Sequence, residues 1–334
     1  MFIEILSNYG LFLLKTITIV ISILLILNFI VNSKKDKIKG NLIVTNINNQ
    51  LLSLEKNIKK SILNSSDYKK YLKLRKKNKK NINKKLYVID FCGNIKATEI
   101  KSLRREISAV ILSFKKGDEV LLRLENSGGT VHEHGLAASQ LKRIKDKKIP
   151  LTICVDKVAA SGGYMMACVA NKIIASPFSI IGSIGVLAQV PNFNKLLKKK
   201  GIDFEQHTAG NYKRTVTMFG ENTAKDRKKL NEQLEDIHIL FKNFIKNERK
   251  NVDIEKVATG EYWYGKNALD LNLIDEIMTS DEYILLAKER FDIIHIKYKP
   301  TETLSDKLTK LSSRISNRAL NLFAQKNHDD NMFK

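Results

Sequence analysis

The first apolar run is long and unbroken. Leu11 to Val31 reads LFLLKTITIVISILLILNFIV, 21 residues in which Lys15 is the single charge. As a helix rising about 1.5 Å per residue it reaches across a hydrocarbon core of about 30 Å. It is apolar on every face, unlike a helix that borders solvent. The preceding MFIEILSNYG holds no Lys or Arg, and no A-x-A follows Val31. Residues 1–33 are therefore expected to form an uncleaved transmembrane anchor rather than a removed signal peptide.

Residues 34–85 are polar and Lys-rich and are expected to form a juxtamembrane linker or stalk. Leu51, Leu54, Ile58 and Ile62 recur at helical spacing, so part of this stretch is expected to be a helix. From Leu86 the pattern changes. Short apolar runs of strand length at 86–91, 119–124, 150–155 and 172–175 alternate with helical spacing over 99–114, 132–144 and 161–170. That alternation predicts βαβ units and a largely parallel sheet, an α/β domain over 86–299. Longer helices are expected over 223–250 and 281–290. The uncharged stretch 173–191 resembles a second span by hydropathy, but Pro177, Gly182 and Gly185 interrupt it; it is read as buried core and site wall. Residues 300–334 form a polar extension, with a helix expected over 304–327.

Composition changes this picture in one respect. The chain has 334 residues and a formal net charge of +23. Residues 34–85 hold 17 Lys and Arg against 3 Asp and Glu, so +14 of that charge lies beside the predicted anchor. Of the 58 basic residues 47 are Lys, and Tyr71 is the one aromatic among the bases of 69–85. Nucleic-acid readers favour arginine and interleaved aromatics, so no nucleic-acid partner is expected. The cluster bears instead on anionic lipid, and the positive-inside rule places it in the cytoplasm. Cys92, Cys154 and Cys168 are too few for a disulfide framework and are expected to be buried thiols.

The candidate chemistry centres on Asp156-Lys-Val-Ala-Ala-Ser-Gly-Gly-Tyr-Met165, where a strand ends and a helix begins near Ser161. A serine there presents its hydroxyl at the sheet's edge, at a helix terminus that favours developing negative charge. The same position suits a helix cap, and the two readings stand side by side. Gly128-Gly129 follows the second strand and can offer backbone N–H groups to an oxyanion, or can form an ordinary turn. His132 and His134 start a helix and His207 lies in a polar loop, so no histidine has obvious triad spacing. No metal site is expected.

Three segments then carry a resemblance: Ala160-Ser-Gly-Gly-Tyr164, Gly182-Ser-Ile-Gly185 and Ala209-Gly-Asn-Tyr-Lys-Arg214. In this order, with Gly135-Leu-Ala-Ala-Ser-Gln-Leu141 and Gly260-Glu-Tyr-Trp-Tyr-Gly265, residues 86–290 resemble the signal peptide peptidase A family. The resemblance implies a ClpP/crotonase-like fold of stacked βαβ turns and a Ser–Lys dyad protease. Carried over, Ser161 is the nucleophile and Lys213 the general base and proton donor to the leaving amine. Ser183 orients the lysine, and backbone N–H groups near Gly129 and Gly162 form the oxyanion hole. Tyr164 and Met165 are candidates for an apolar substrate pocket, or equally for helix core. Ser127 stands where the family usually has proline, which puts the stiffness of that loop in question.

A lysine works as a base near neutral pH when burial depresses its pKa, and 209–219 contains no Asp or Glu. Without the resemblance, Lys213 is one more surface lysine. The resemblance also implies peptide or protein substrates, such as signal-peptide remnants or misfolded envelope proteins. It further implies a ring or dome of identical subunits, no cofactor, and a bacterial inner-membrane protein with its catalytic domain in the periplasm, against the positive-inside count. Two other classes remain open: a non-proteolytic membrane scaffold on the same fold, and a crotonase-like acyl-CoA enzyme.

Overall fold

The computed structural model describes residues 10–23, 40–77 and 82–300. The chain divides into two compact units, Met1–Asn41 with Pro300–Lys334, and Leu42–Lys299. In the first, helix α1 covers residues 10–23, and its Phe12, Leu14 and Ile19 are exposed. Among the described residues, no helix is long and apolar enough to cross a membrane. Residues 24–31 of the expected span, and the helix expected over 304–327, lie outside the described residues.

The larger unit begins in strand β1 (Gly40–Asn46) and continues through helices α2 (Ile47–Ile62) and α3 (Ser65–Lys77). Asn46 caps α2, its side chain accepting the Asn49 N–H at 2.9 Å. Two residues on, Asn48 ties the helix to residues 291–293. Its Oδ1 accepts the Ile293 N–H at 2.7 Å, and its Nδ2 donates to the Phe291 carbonyl at 3.1 Å. Ile47 and Leu51 pack against the sheet's second apolar cluster, whereas Leu54, Ile58 and Ile62 are exposed. The stretch read as a linker thus supplies an edge strand and a docked helix, and the folded unit starts at Leu42 rather than Leu86.

The expected alternation follows: β2 (Lys85–Gly93), α4 (Ile100–Ser113), β3 (Glu119–Asn126), α5 (Val131–Asp146) and β4 (Leu151–Val155). After it come β5 (Val158–Ala160), α6 (Gly162–Ala167), β6 (Lys172–Ala175), β7 (Ile180–Gly182), α7 (Asn194–Lys199) and α8 (Ala224–Glu248). The unit closes with α9 (Ile254–Val257), β8 (Tyr262–Tyr264), α10 (Gly265–Asp270), β9 (Glu276–Ile277), α11 (Ser280–Ala287) and β10 (Asp292–Pro300). The main path of the sheet runs β1-β10-β2-β3-β4-β6-β9. β2, β3, β4 and β6 pair in parallel, as the alternation requires. Their side chains divide by period 2: Ile89 and Phe91 face the main core under α4, α5 and α6, while Leu86 and Val88 face a smaller cluster with Ile284 and Phe291.

The site depends on a branch from this sheet. β5 leaves β3 and pairs in parallel with β7, which pairs antiparallel with β8. The uncharged stretch 173–191 supplies β6, β7 and the buried Ile184, while Leu187 and Val190 are exposed. Cys154 and Cys168 are buried, and burial raises both thiols. Cys92 is exposed, contrary to expectation, because it alternates with the inward-facing Phe91.

Candidate active site

β5 and β7 place two serines side by side. In their parallel pairing Ala160 lies opposite Gly182, so both strands end at one level, and each gives way to a serine in the left-handed region. Ser161 has φ +53° and Ser183 has φ +49°. The Ser161 N–H donates to the Gly182 carbonyl at 2.7 Å, and the Ser183 N–H donates to the Glu261 carbonyl at 2.7 Å. A non-glycine residue held there is uncommon and persists where its surroundings over-determine it.

Ser161 occupies the N-cap position of α6, but its side chain makes no capping hydrogen bond. Its ψ of −119° turns the residue away from cap geometry. The hydroxyl is thus left uncommitted at the start of a helix whose six residues are all buried. The first amides of α6, starting with Gly162, have no intrahelical acceptor.

The Gly128–Gly129 loop closes over this corner. A Cβ on Gly128 would lie 2.8 Å from the Ser161 Cβ and 2.9 Å from the Ala160 carbonyl oxygen, so the loop touches the elbow directly. With φ +90°, Gly128 is a position that only glycine fills without strain. Its N–H donates to Asn126 Oδ1 at 2.8 Å and is therefore occupied. Among the described residues the Gly129 N–H has no hydrogen-bond partner. Gly129 and Gly162 then line one pocket with Ser161. Ser127 is exposed.

That pocket is also lined by Met165, Gly185 and Val186, by Val131 of α5, and by Ile237 and Phe241 of α8. Tyr164 is elsewhere: fully buried, it donates its hydroxyl to the Leu273 carbonyl at 2.9 Å. Because α6 is buried on all sides, adjacent residues point to different parts of the core, and Met165 alone of this pair meets the pocket. Helical spacing in 223–250 predicted α8 but gave no sign that its Ile237 and Phe241 face the serine.

Lys213 lies in the segment between α7 and α8 and is exposed. Among the described residues, no hydrogen bond joins it to Ser161 or Ser183. Its neighbour Tyr212 rests on α8, with the Lys229 ammonium 5.0 Å and the Lys225 ammonium 6.0 Å from its ring centroid. The segment also carries exposed apolar side chains, and its Phe219 stacks on Phe193, which precedes α7, at 6.1 Å between centroids.

The two histidines at the start of α5 diverge. His132 is exposed, whereas His134 is fully buried beneath the site, where a Cβ on Gly162 would meet its ring at 2.4 Å. Sequence spacing did not single out His134, since no triad pattern includes it.

A large, mostly parallel sheet flanked by helices, with a serine at the junction of β5 and α6, defines the class of protein, a mixed α/β fold. Comparison with known proteins gives the family. The profile described as Peptidase family S49 N-terminal matches residues 4–141, and Peptidase family S49 matches residues 143–293. The chain belongs to peptidase family S49 and is a peptidase. It is similar to the Probable protease SohB of Buchnera aphidicola subsp. Acyrthosiphon pisum, 48% identical over 97% of this chain and 99% of that one. It is also similar to the Probable protease SohB of Haemophilus influenzae, 42% identical over 99% of each chain. The Putative protease MJ0651 of Methanocaldococcus jannaschii is 30% identical over 49% of this chain.

Proposed function

We propose that this peptidase is a serine endopeptidase that works through a Ser161–Lys213 dyad. The observation that carries the reading is the uncommitted hydroxyl of Ser161, held at positive φ beside Gly129 and Gly162 at the wall of a pocket. In the reaction the free Lys213 amine takes the hydroxyl proton as Oγ attacks the scissile carbonyl. The Gly129 and Gly162 N–H groups receive the oxyanion. The Lys213 ammonium then gives its proton to the leaving amine, and the acyl group stays on Ser161. Water, deprotonated by the same amine, releases the acid and restores the serine. Ser183, level with Ser161 on the adjacent strand, orients the lysine. No metal or organic cofactor enters.

A solvated lysine is a poor base, and Lys213 is exposed in the single chain. The amine must therefore be desolvated by a further surface, and the exposed Met218 and Phe219 of its segment, with Phe193 just before α7, favour a second copy. A ring or dome of identical subunits would bury that surface and admit extended or small substrates. The short β5, β7 and β8 branching off the main sheet support the ClpP/crotonase-like form of the fold. The apolar side chains exposed along α1 and the run to Val31 support an N-terminal anchor in the bacterial inner membrane. With the catalytic unit on the periplasmic side, signal-peptide remnants and misfolded envelope proteins are the substrates.

The test is labelling by a serine-reactive fluorophosphonate. Wild type should label, and Ser161→Ala and Lys213→Ala should not. Label that survives Ser161→Ala sinks the nucleophile, and a well-folded wild type that takes none favours the scaffold reading. Retention of the protein in alkaline-washed membranes checks the anchor, and a periplasm-dependent reporter fused after Lys334 checks the side.

A further inference from the structure

Asn126 stands at the centre of the site's support. It ends β3, and its carbonyl oxygen lies 2.1 Å from where a Cβ on Gly163 would sit. Its Oδ1 accepts the Gly128 N–H at 2.8 Å, which fixes the carboxamide with oxygen toward the loop and nitrogen 3.5 Å from Met166 Sδ. His134 Nε2 lies 3.2 Å from that same oxygen, and His134 Nδ1 lies 2.9 Å from the Thr130 carbonyl. Both partners are acceptors, so the ring donates in either contact. A neutral imidazole has one N–H and satisfies one of them; an imidazolium satisfies both. The ring also underlies Gly162, whose missing Cβ would lie 2.4 Å from the imidazole Cγ.

His134 therefore reaches both arms of the site: the Gly128–Gly129 loop through Asn126, and the start of α6 by direct packing. A fully buried polar ring is costly unless hydrogen-bonded, and here one contact is to the carboxamide that holds the Gly128 N–H and the other to the Thr130 carbonyl. We propose that His134 is a positioning residue of the oxyanion site. Its Nε2 contact locks Asn126 so that the Gly129 N–H faces the reacting carbonyl oxygen, and its ring sets the depth of Gly162. It moves no proton and touches no substrate. The inference rests on the reading of Gly129 and Gly162 as oxyanion donors.

Two substitutions separate the contacts. In His134→Gln the carboxamide nitrogen reaches the place of Nε2 and can still donate to Asn126. In His134→Asn the nitrogen takes the place of Nδ1 and can donate to Thr130 alone. The full-length protein in detergent is assayed with a fluorogenic peptide, alongside its melting temperature and fluorophosphonate labelling of Ser161. His134→Asn should lose about 10- to 100-fold in kcat, short of the loss of a whole oxyanion donor, with KM within about twofold of wild type. His134→Gln should keep most of kcat at a similar melting temperature. The proposal falls if wild type labels at Ser161 and His134→Asn is as active as wild type. It also falls if KM rather than kcat moves, if the two variants lose activity equally, or if neither folds. A wild type that does not label at Ser161 removes the oxyanion reading itself, and the inference with it.

Discussion

Asp90 and Arg123 face each other across the parallel pair β2–β3 and form a two-pronged ion pair, Nε to Oδ1 at 2.6 Å and Nη2 to Oδ2 at 2.9 Å. His295 of β10 adds a third contact, its Nε2 lying 2.9 Å from Oδ2. Three strands of the sheet are thus joined by one carboxylate.

Burial alone would raise the Asp90 carboxyl, but the hydrogen bonds from His295 and Arg123 and the guanidinium charge outweigh it and hold it well below the ordinary range. A depressed carboxyl contributes stability above its unfolded pKa of about 3.9, lost as pH falls below that value. Both side chains are about one-third exposed, which screens the pair. Arg123→Gln should cost about 1 kcal/mol at pH 7, with the cost beginning to fall below about pH 4 and markedly less by about pH 1.5, read from urea unfolding at the two extremes. An equal cost at both would show that the pair does not set the acid limb.

Glu106 behaves in the opposite sense. It is 3% exposed, and burial pushes its carboxyl up to about 7 against the Tyr298 N–H, which donates to it at 2.7 Å. The native state therefore keeps a proton that the unfolded chain releases, and stability falls as pH rises from about 4.5 to about 7. Glu106→Gln keeps an acceptor for Tyr298 and never ionises. It should exceed wild type in stability at pH 8 by on the order of 2–3 kcal/mol and match it near pH 4, by denaturant unfolding.

The positive φ of Ser161 carries its own prediction. Both Ser161→Ala and Ser161→Gly remove the hydroxyl, but glycine adopts φ +53° freely and alanine does not. The glycine variant should be the more stable of the two by about 1 kcal/mol, visible as a higher melting temperature. Equal melting temperatures would mean that the elbow is unstrained.

Asn48 tests the docking of α2. Replacing it by alanine removes the acceptor of the Ile293 N–H and the donor to Phe291. The loss should be about 1–3 kcal/mol of unfolding free energy with little change in fluorophosphonate labelling at low temperature. A neutral Asn48→Ala would mean that α2 rests on the sheet without holding it.

Much of the fold was legible because its period is strong. Ile100, Leu103, Ile107 and Val110 bury the face of α4 that their spacing predicts. The strands that build the site escaped notice because β5, β7 and β8 have three residues each, too few to show alternation. Lysine density concealed the role of 42–62, where two asparagines and two apolar side chains do the docking. Ser161 was legible as a strand-to-helix residue, and its conformation decided between cap and free hydroxyl. His134 was not legible, because its importance comes from what lies above it in space.

The pocket wall supplied by Ile237 and Phe241 has a consequence for the timing of synthesis. Chains emerge N-terminus first. The segment bearing Ser161 leaves the ribosome well before α8, so an incomplete chain carries the serine with one wall of its pocket missing. The pocket is whole only once the downstream helix has docked, and on the proposed Ser161 chemistry the nascent chain is spared from digesting itself or its neighbours while its own backbone is still unfolded.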